Sequence, residues 1–434
     1  MFFIFLKIVQ FSKNILFSQL HTKLMYTLNM KTNQTQTAVI VIPTYNEIDN
    51  IGKMLDYLFT KTFPYIHQKK TNQQDWNMKV LVVDGNSPDG TGKLVTQKAK
   101  KYKEIYLYTE TSKDGIGAAY LKGFKYAMSK LKADVVFEFD GDFQHPPETI
   151  PVMLQAIEDG YDYVIGSRKI KGGSNPKGWG FKRVFFSEVG GLVARLIMFF
   201  PFKNFFKVTD PTTGLKVTRV KGILDQLDMD YSHLYSKSFG YKLELLFNTL
   251  KLKPKFKEIP LKFQVRTAGE SKIQTQTAKD IFRVVFLLRW HDDFTQKFLK
   301  FGTIGGFGFL INFFGLKIFS SLYKKMQFQI GLINFLANAT ASEIAIISNF
   351  IGNNLWTFAK QKITSSTQIL SKFVAFNLSS IVGGILVPSF IIGLGTQFLG
   401  DQYKTILLFL AVFGFTVPYN WFIYNKVIWK KKKA

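Results

Sequence analysis

Val135-Val-Phe-Glu-Phe139 runs directly into Asp140-Gly-Asp142-Phe-Gln144-His-Pro-Pro-Glu148. A short apolar run of this kind reads as a buried strand, and the acidic residues mark where it ends. In an extended segment, residues at i and i+2 share a face, so Asp140 and Asp142 can converge on one hard cation. A divalent ion held by one or two carboxylates keeps positions open for phosphate oxygens. A polar turn closing a strand would use the same residues without any chemistry, so the surrounding chain has to decide.

Working outward, short apolar runs alternate with helical stretches. Ala38–Ile42, Val80–Val83, Ile105–Tyr108, Val135–Phe139 and Tyr163–Ile165 read as strands. Ile48–Thr60, Thr91–Tyr102, Gly117–Lys130 and Pro147–Glu158 read as the helices between them. That order predicts parallel strands with crossover helices, an α/β sandwich. Ligands in such sheets bind beyond the carboxyl ends of the strands. Pro43-Thr-Tyr-Asn-Glu47, Asp84-Gly-Asn-Ser-Pro-Asp-Gly-Thr91 and Asp140 to Gln144 all fall there, and three converging polar loops favour a site over a simple turn.

The chain has 434 residues, long enough for two modules, and 57 Lys+Arg against 30 Asp+Glu give a formal charge of +27. Such an excess points to polyanionic partners. It carries no cysteine, which rules out disulfides and thiolate metal sites. Four segments near 301–323, 330–351, 373–398 and 405–428 approach the ~20 apolar residues needed to span a bilayer. Gly302, Gly305, Gly306 and Gly308 favour close helix packing, and Asn312, Lys317, Asn338 and Glu343 are expected to face a helix–helix interior. Lys297, Lys300, Lys360, Lys362 and the run Lys430–Lys433 place those ends in the cytoplasm by charge bias, although Lys324 and Lys325 oppose it. The first 30 residues are apolar but broken by Lys7 and Lys13, so they lack the pattern of a secretory signal. Two readings stand for them, a membrane-surface segment and a disordered tail. Val184–Phe202, with Glu188 and Arg195, and Ala278–Trp290, with Arg283 and Arg289, read as interfacial helices rather than spans.

The segments PTYNE, VVDGNSPDGT, DGDFQHPPE, GSRKIKGG, DPTTGLKVTR and EIPLKFQVRTAGESK come in one order over roughly Val39–Lys272. Together they resemble the family-2 inverting glycosyltransferases, and most closely the polyprenol-phosphate (dolichyl-phosphate) mannosyltransferases. The four apolar segments resemble the membrane module fused to some members. The resemblance implies a GT-A-type, mostly parallel sheet domain, interfacial helices and a C-terminal four-helix transmembrane bundle. The expected boundaries are an extension over 1–37, a catalytic domain over 38–272, an interfacial linker over 273–296 and a four-span domain over 297–434.

It further implies GDP-mannose as donor, a dolichyl or polyprenyl phosphate as acceptor and Mg2+ or Mn2+ as cofactor. Pro43, Tyr45, Glu47, Val83, Asp84, Asp140, Gly141, Asp142, Gln144, Arg168, Arg266 and Lys272 match the nucleotide-sugar positions. Asp140, Asp142 and Gln144 match the metal triplet, and Asp142 and Arg168 the catalytic positions. Arg168, Arg183 and Ser187 match those that hold the acceptor phosphate; the last two lie at i and i+4 and share a helix face. Asp84 is expected to face the base. Gly85 stands where many relatives carry a second acidic residue, which leaves nucleotide selectivity open. His145 is a candidate general base, but Pro146-Pro147 after it reads as a rigid helix start. A lipid phosphate is largely ionised near pH 7, so no base is required. Asp210-Pro-Thr-Thr-Gly214 allows either a sugar contact or an Asp-Pro turn.

A processive polysaccharide synthase would carry Gln-x-x-Arg-Trp; Arg289-Trp290 is present, but Phe286 fills the glutamine position. A glucosyl donor and a lipid-sugar carrier with a regulatory soluble domain are the remaining alternatives. No zinc or aromatic RNA-binding motif supports nucleic acid as the partner.

Overall fold

The computed structural model describes residues 35–68, 75–266, 275–326 and 329–430. Most of the expected N-terminal extension therefore lies outside the described residues. The chain forms two compact units, one ending at Arg289 and one beginning at Trp290.

The first unit is built on seven strands: β1 (Gln36–Thr44), β2 (Trp76–Asp84), β3 (Ile105–Thr109), β4 (Val135–Glu138), β5 (Tyr163–Ser167), β6 (Lys216–Arg219) and β7 (Phe256–Pro260). They lie in the order β3-β2-β1-β4-β6-β5-β7. All neighbours run parallel except β6, which is antiparallel to both β4 and β5. The expected parallel α/β sheet is thus a mixed, mostly parallel one. Strand β1 is a continuous apolar run because both of its faces are covered. Ile40 and Ile42 enter one core with Val80, Val82 and Phe137, whereas Val39 and Val41 enter the other with Leu81 and Val83.

Helices α1 (Ile48–Tyr57), α2 (Thr91–Lys101) and α4 (Thr149–Glu158) cover the first face through Ile51, Val95 and Met153. Helices α3 (Ile116–Ser129) and α6 (Tyr241–Lys251) cover the second through Phe124 and Tyr241. A third cluster joins β5 to α5 (Phe181–Phe199), α6 and α7 (Thr275–Trp290) through Ile165, Met198, Leu246 and Val285. The segment expected as a linker over 273–296 thus packs largely into the first unit.

The second unit is helical. Among the described residues three helices are long and apolar enough to cross a membrane: α8 (Asp293–Lys324), α10 (Ser366–Leu399) and α11 (Lys404–Ile428). The segment expected as a span over 330–351 forms helix α9 (Ile330–Gly352), an apolar helix interrupted by Asn334, Asn338, Glu343 and Asn349. Asn312 on α8 donates to Ser342 on α9 at 2.8 Å, and Asn377 on α10 donates to Glu343 at 2.9 Å. Asn312 thus faces a helix–helix contact as expected, whereas Glu343 bridges two helices from an exposed position. Lys317 lies on an exposed face against the Phe313 ring, and Asn338 is also exposed. Of the four expected packing glycines only Gly308 is closely approached, by the Asn349 amide; Gly302, Gly305 and Gly306 have nothing near them. Gly315, against Ala341 at 3.1 Å from its would-be Cβ, and Gly352, against Ile304 at 2.6 Å, make further close approaches between α8 and α9.

The antiparallel strand carries a buried charge. Register pairs Lys216 with Glu138 directly across β6 and β4, and the Lys216 Nζ donates to Glu138 at 3.1 Å and to the Lys242 carbonyl at 3.2 Å. Burial pushes the Glu138 carboxyl up and the Lys216 amine down, and each partner's charge opposes that shift. Removing one member of such a pair is costly, whereas replacing both with apolar residues often is not. Lys216→Met should lower stability by about 3–5 kcal/mol, and Glu138→Leu added to it should recover most of the loss. Denaturant unfolding of the full chain checks this; a double variant less stable than the single would contradict it.

Candidate active site

Three polar loops meet at the carboxyl ends of β1, β2 and β4. Each contains one non-glycine residue in the left-handed region: Asn46 at φ 54°, Asn86 at φ 55° and Phe143 at φ 62°. Asparagine tolerates that conformation, but a phenylalanine there is strained and must be held by its surroundings. The loop after β2 supports the loop after β1. Ser87 Oγ accepts from the Asn46 N–H at 3.0 Å, Thr91 Oγ1 from Glu47 at 3.1 Å and Asp89 from Ile48 at 3.1 Å. The cap of α1 is thus Asp89, reached from another loop, while Asn46 forms the turn.

These loops wall a cavity of about 400 Å3 that brings together Pro43, Tyr45, Glu47, Asp140, Gly141, Asp142, Gln144, Arg183 and Arg266. A larger one, about 530 Å3, is lined by α4 and the helical stretch 57–66 that continues α1, and contains none of the expected residues.

Asp142 is buried and receives Arg266 through Nε at 2.8 Å and a second nitrogen at 2.7 Å; the same guanidinium stands 3.8 Å from Glu47. Asp140 accepts from the Tyr120 hydroxyl at 3.0 Å and has Lys242 and His145 each at 3.7 Å. Burial alone would raise the Asp140 pKa, but Lys242, His145, Tyr120 and Arg266 together bring it down to about 2. Burial and the Asp140 charge push Asp142 upward. His145 is packed between the rings of Phe139 and Phe263 and accepts the Asp140 N–H at 3.3 Å. Burial lowers its pKa, and the ring holds the loop through the Asp140 N–H that it accepts. Gly214 completes the wall, because a Cβ there would meet Lys242, His145 and, at 3.2 Å, Asp140.

The arginine of Gly-Ser-Arg is placed differently from expectation. Arg168 is buried and clamps Asp210 through Nε at 2.6 Å and a terminal nitrogen at 2.7 Å; that nitrogen also reaches Thr212 at 2.8 Å. A planar guanidinium fits a carboxylate in this two-pronged way. The structure therefore places Arg168 behind the cavity wall, where its charge depresses the pKa of Arg183 alongside burial. Asp210-Pro-Thr-Thr-Gly214 accordingly builds the wall rather than lining it. Arg183 does line the cavity, stacked on Trp179 with 4.2 Å from guanidinium carbon to ring centroid. Ser187 shares its helix but is not among the lining residues. Asp84 is also off the wall: Thr44 and Ser87 occupy both its oxygens, at 3.0, 2.6 and 2.9 Å. Val83 is a core residue. Lys272 lies outside the described residues.

Sequence reasoning missed Glu110, Lys113 and Lys242. Glu110 directly follows β3, so the strand-end rule would have found it. Lys242 is a lone cation in the apolar start of α6, and only its Asp140 contact gives it meaning.

Among the described residues no group of three or more His, Asp or Glu is arranged to hold a metal. The donor set at Asp140, Asp142 and Gln144 is nevertheless all oxygen, with the Lys242 ammonium and the His145 ring each 3.7 Å from Asp140 Oδ2. Two carboxylates and a carboxamide suit a hard ion shared with phosphate oxygens.

The sheet order and the acidic loop beyond β4 define a GT-A-type glycosyltransferase domain followed by a helical membrane module. The chain belongs to glycosyl transferase family 2, whose model matches residues 39–221, and it carries the GtrA/DPMS transmembrane domain over residues 300–429. It is 29% identical over 381 residues to a dolichol-phosphate mannosyltransferase of Pyrococcus furiosus, covering 88% of this chain and 96% of that protein. It is 33% identical over 250 residues to an undecaprenyl-phosphate mannosyltransferase of Micrococcus luteus, covering 58% of this chain and 92% of that protein. A dolichol-phosphate mannosyltransferase of Saccharomyces cerevisiae is 30% identical over 237 residues, with 54% and 80% covered.

The Arg168–Asp210 clamp predicts a stability effect. Its charge pair holds Asp210 below the usual carboxylate range despite burial. That contribution is present above the unfolded pKa of about 3.9 and is lost as pH falls through the lower folded value. Asp210→Asn leaves the guanidinium buried without its counter-charge and should destabilise by about 3–5 kcal/mol. Unfolding of the detergent-solubilised full chain is the check, and an unchanged midpoint would remove the clamp from the account of the fold.

Proposed function

We propose that this protein transfers mannose from GDP-mannose to a dolichyl or other polyprenyl phosphate at the cytoplasmic face of a membrane, with inversion at the sugar. In this reading residues 38–272 carry the chemistry, 273–296 lie at the interface and 297–434 anchor the chain. The product would serve as a mannosyl donor for protein glycosylation and GPI-anchor-type pathways, in the endoplasmic reticulum of a eukaryote or the plasma membrane of a prokaryote. The mannosyltransferase relatives support the sugar and the acceptor class.

One observation carries the lipid half of the proposal. Helix α5 puts Arg183 on the cavity wall and, along the same helix, exposes Phe181, Phe185, Val189, Leu192 and Leu196. Their spacing of three and four residues makes one apolar stripe. The opposite face is buried through Ala194 and Met198. Lys169 pairs with Glu188, and Arg195 donates to the Phe205 carbonyl at 2.8 Å, so the charges that edge the stripe are partnered. Arg183 lies on the face away from the stripe, so α5 presents a cation to the cavity and an apolar side suited to a membrane interface, where a phosphate on a hydrocarbon chain would be found.

The reaction forms a bond between an acceptor phosphate oxygen and the anomeric carbon as the bond to the donor diphosphate breaks. The acceptor is already ionised, so the residues need only hold two anions in line and offset their repulsion. Arg183 would hold the acceptor phosphate, with the Arg168 charge behind it. Arg266 would exchange its contact with Asp142 for the donor diphosphate. Pro43, Tyr45 and Glu47 would wall the nucleoside. Mg2+ or Mn2+ held by Asp140, Asp142 and Gln144 would neutralise the charge that builds on the departing diphosphate.

Labelled GDP-mannose and UDP-glucose, each incubated with a polyprenyl phosphate, test the donor; transfer from UDP-glucose alone would overturn the proposal. Asp142→Ala should abolish transfer in a protein that stays folded and membrane-inserted, and near-normal turnover at saturating metal would exclude the triplet. Arg183→Ala should raise KM for the lipid phosphate, and Arg266→Ala that for the nucleotide sugar, each by roughly ten- to hundredfold for one charge-assisted contact. Equal damage to both substrates in both variants would refute this division.

A further inference from the structure

Glu110 stands at the carboxyl end of β3, next to the loop that follows β2, and its N–H bonds the Asp84 carbonyl at 2.8 Å. It is buried, with 4% of its surface exposed, yet it lines the cavity. Its Oε1 is fixed by Lys122 at 2.7 Å, and Lys122 is itself fixed by Asp114 at 2.6 Å. Its Oε2 has no hydrogen-bond partner among the described residues. That oxygen lies 3.6 Å from where a Cβ on Gly85 would sit, and the Tyr45 ring lies 3.3 Å from the same point. A side chain at position 85 would therefore fill the space between Tyr45 and Glu110. Lys113 covers the Tyr45 ring, 3.6 Å from its centroid.

We propose that Glu110 reads the donor's nucleobase, accepting N–H hydrogen bonds from a guanine edge through the space that Gly85 leaves beside Tyr45. This inference rests on the donor reading above and assigns its selectivity to one residue. An ionised carboxylate can only accept hydrogen bonds. Guanine presents two adjacent N–H donors, from its ring N1 and its exocyclic amine. Uracil presents one N–H flanked by carbonyl oxygens, which the carboxylate repels. The Tyr45 ring gives the flat surface on which a base stacks. Burial raises the Glu110 pKa, and Lys122 opposes it and favours the accepting form. The acidic residue that position 85 lacks is thus supplied from the neighbouring strand.

Affinities of the full-length, detergent-solubilised protein for GDP, IDP and UDP in the presence of Mn2+ test this. IDP lacks only the exocyclic amine. The wild type should bind GDP about ten- to hundredfold more tightly than IDP, the value of one hydrogen bond to a charged group. Glu110→Gln should weaken GDP by about the same factor and bring the GDP-to-IDP ratio close to one. Equal affinities of the wild type for GDP and IDP would overturn the proposal without recourse to any variant. A Glu110→Gln protein that loses GDP, IDP and UDP alike would also overturn it, because that is the result of a loosened Lys122. If wild type transfers from GDP-mannose but the variant keeps the wild-type ratio, Glu110 alone is refuted. If wild type prefers UDP, the donor reading falls with it.

Discussion

Asp140 and Asp142 stand two residues apart just beyond β4, both on the cavity wall, and burial pushes both toward the neutral form. Their neighbours come from every part of the first unit. Helix α6 brings Lys242 to 3.7 Å, the segment after β7 brings Arg266 to 2.7 Å and α3 brings the Tyr120 hydroxyl to 3.0 Å. His145 fixes the turn between them by accepting the Asp140 N–H. Phe143, in its left-handed conformation, lies inside the loop that these contacts pin on either side. The fold can be read as the arrangement that delivers counter-charges to this one strand end.

The same logic accounts for the strand that breaks the parallel pattern. Strand β6 enters between β4 and β5, and buried charge secures it on both sides. Lys216 pairs across to Glu138 on β4, while the turn before β6 offers Asp210 to Arg168 at the end of β5. Glu258 on β7 then accepts from the Thr209 N–H at 2.7 Å, tying in the last strand. Gly214 lies at the join, where the turn passes against Asp140 with no room for a side chain.

Five strands were legible because each is an apolar run that ends in turn residues. β6 and β7 were not, since Lys216-Val-Thr-Arg219 and Phe256-Lys-Glu-Ile-Pro260 alternate apolar and charged residues. What makes those residues buried is a partner on another strand, 78 residues away for Lys216 and Glu138. The strand-end rule located most of the cavity wall. It could not separate residues that face the cavity from those consumed behind it: Arg168 and Asp84 lie at the right ends of the right strands, but Asp210, Thr44 and Ser87 hold them. Glycines in α8 were misleading for the same reason. Spacing can place four of them in one stretch, but only the neighbour at Asn349 decides that Gly308 is the one approached.

The stripe on α5 runs from Phe181 to Leu196, about 22 Å at the rise of an α-helix, on the face turned away from Arg183, which meets the cavity. In the proposed reaction the acceptor is therefore gripped at its phosphate, while the stripe seats the helix in the bilayer that holds the tail. A grip confined to the head takes no measure of the chain, so one enzyme could serve a pool of carriers of mixed length without sorting them.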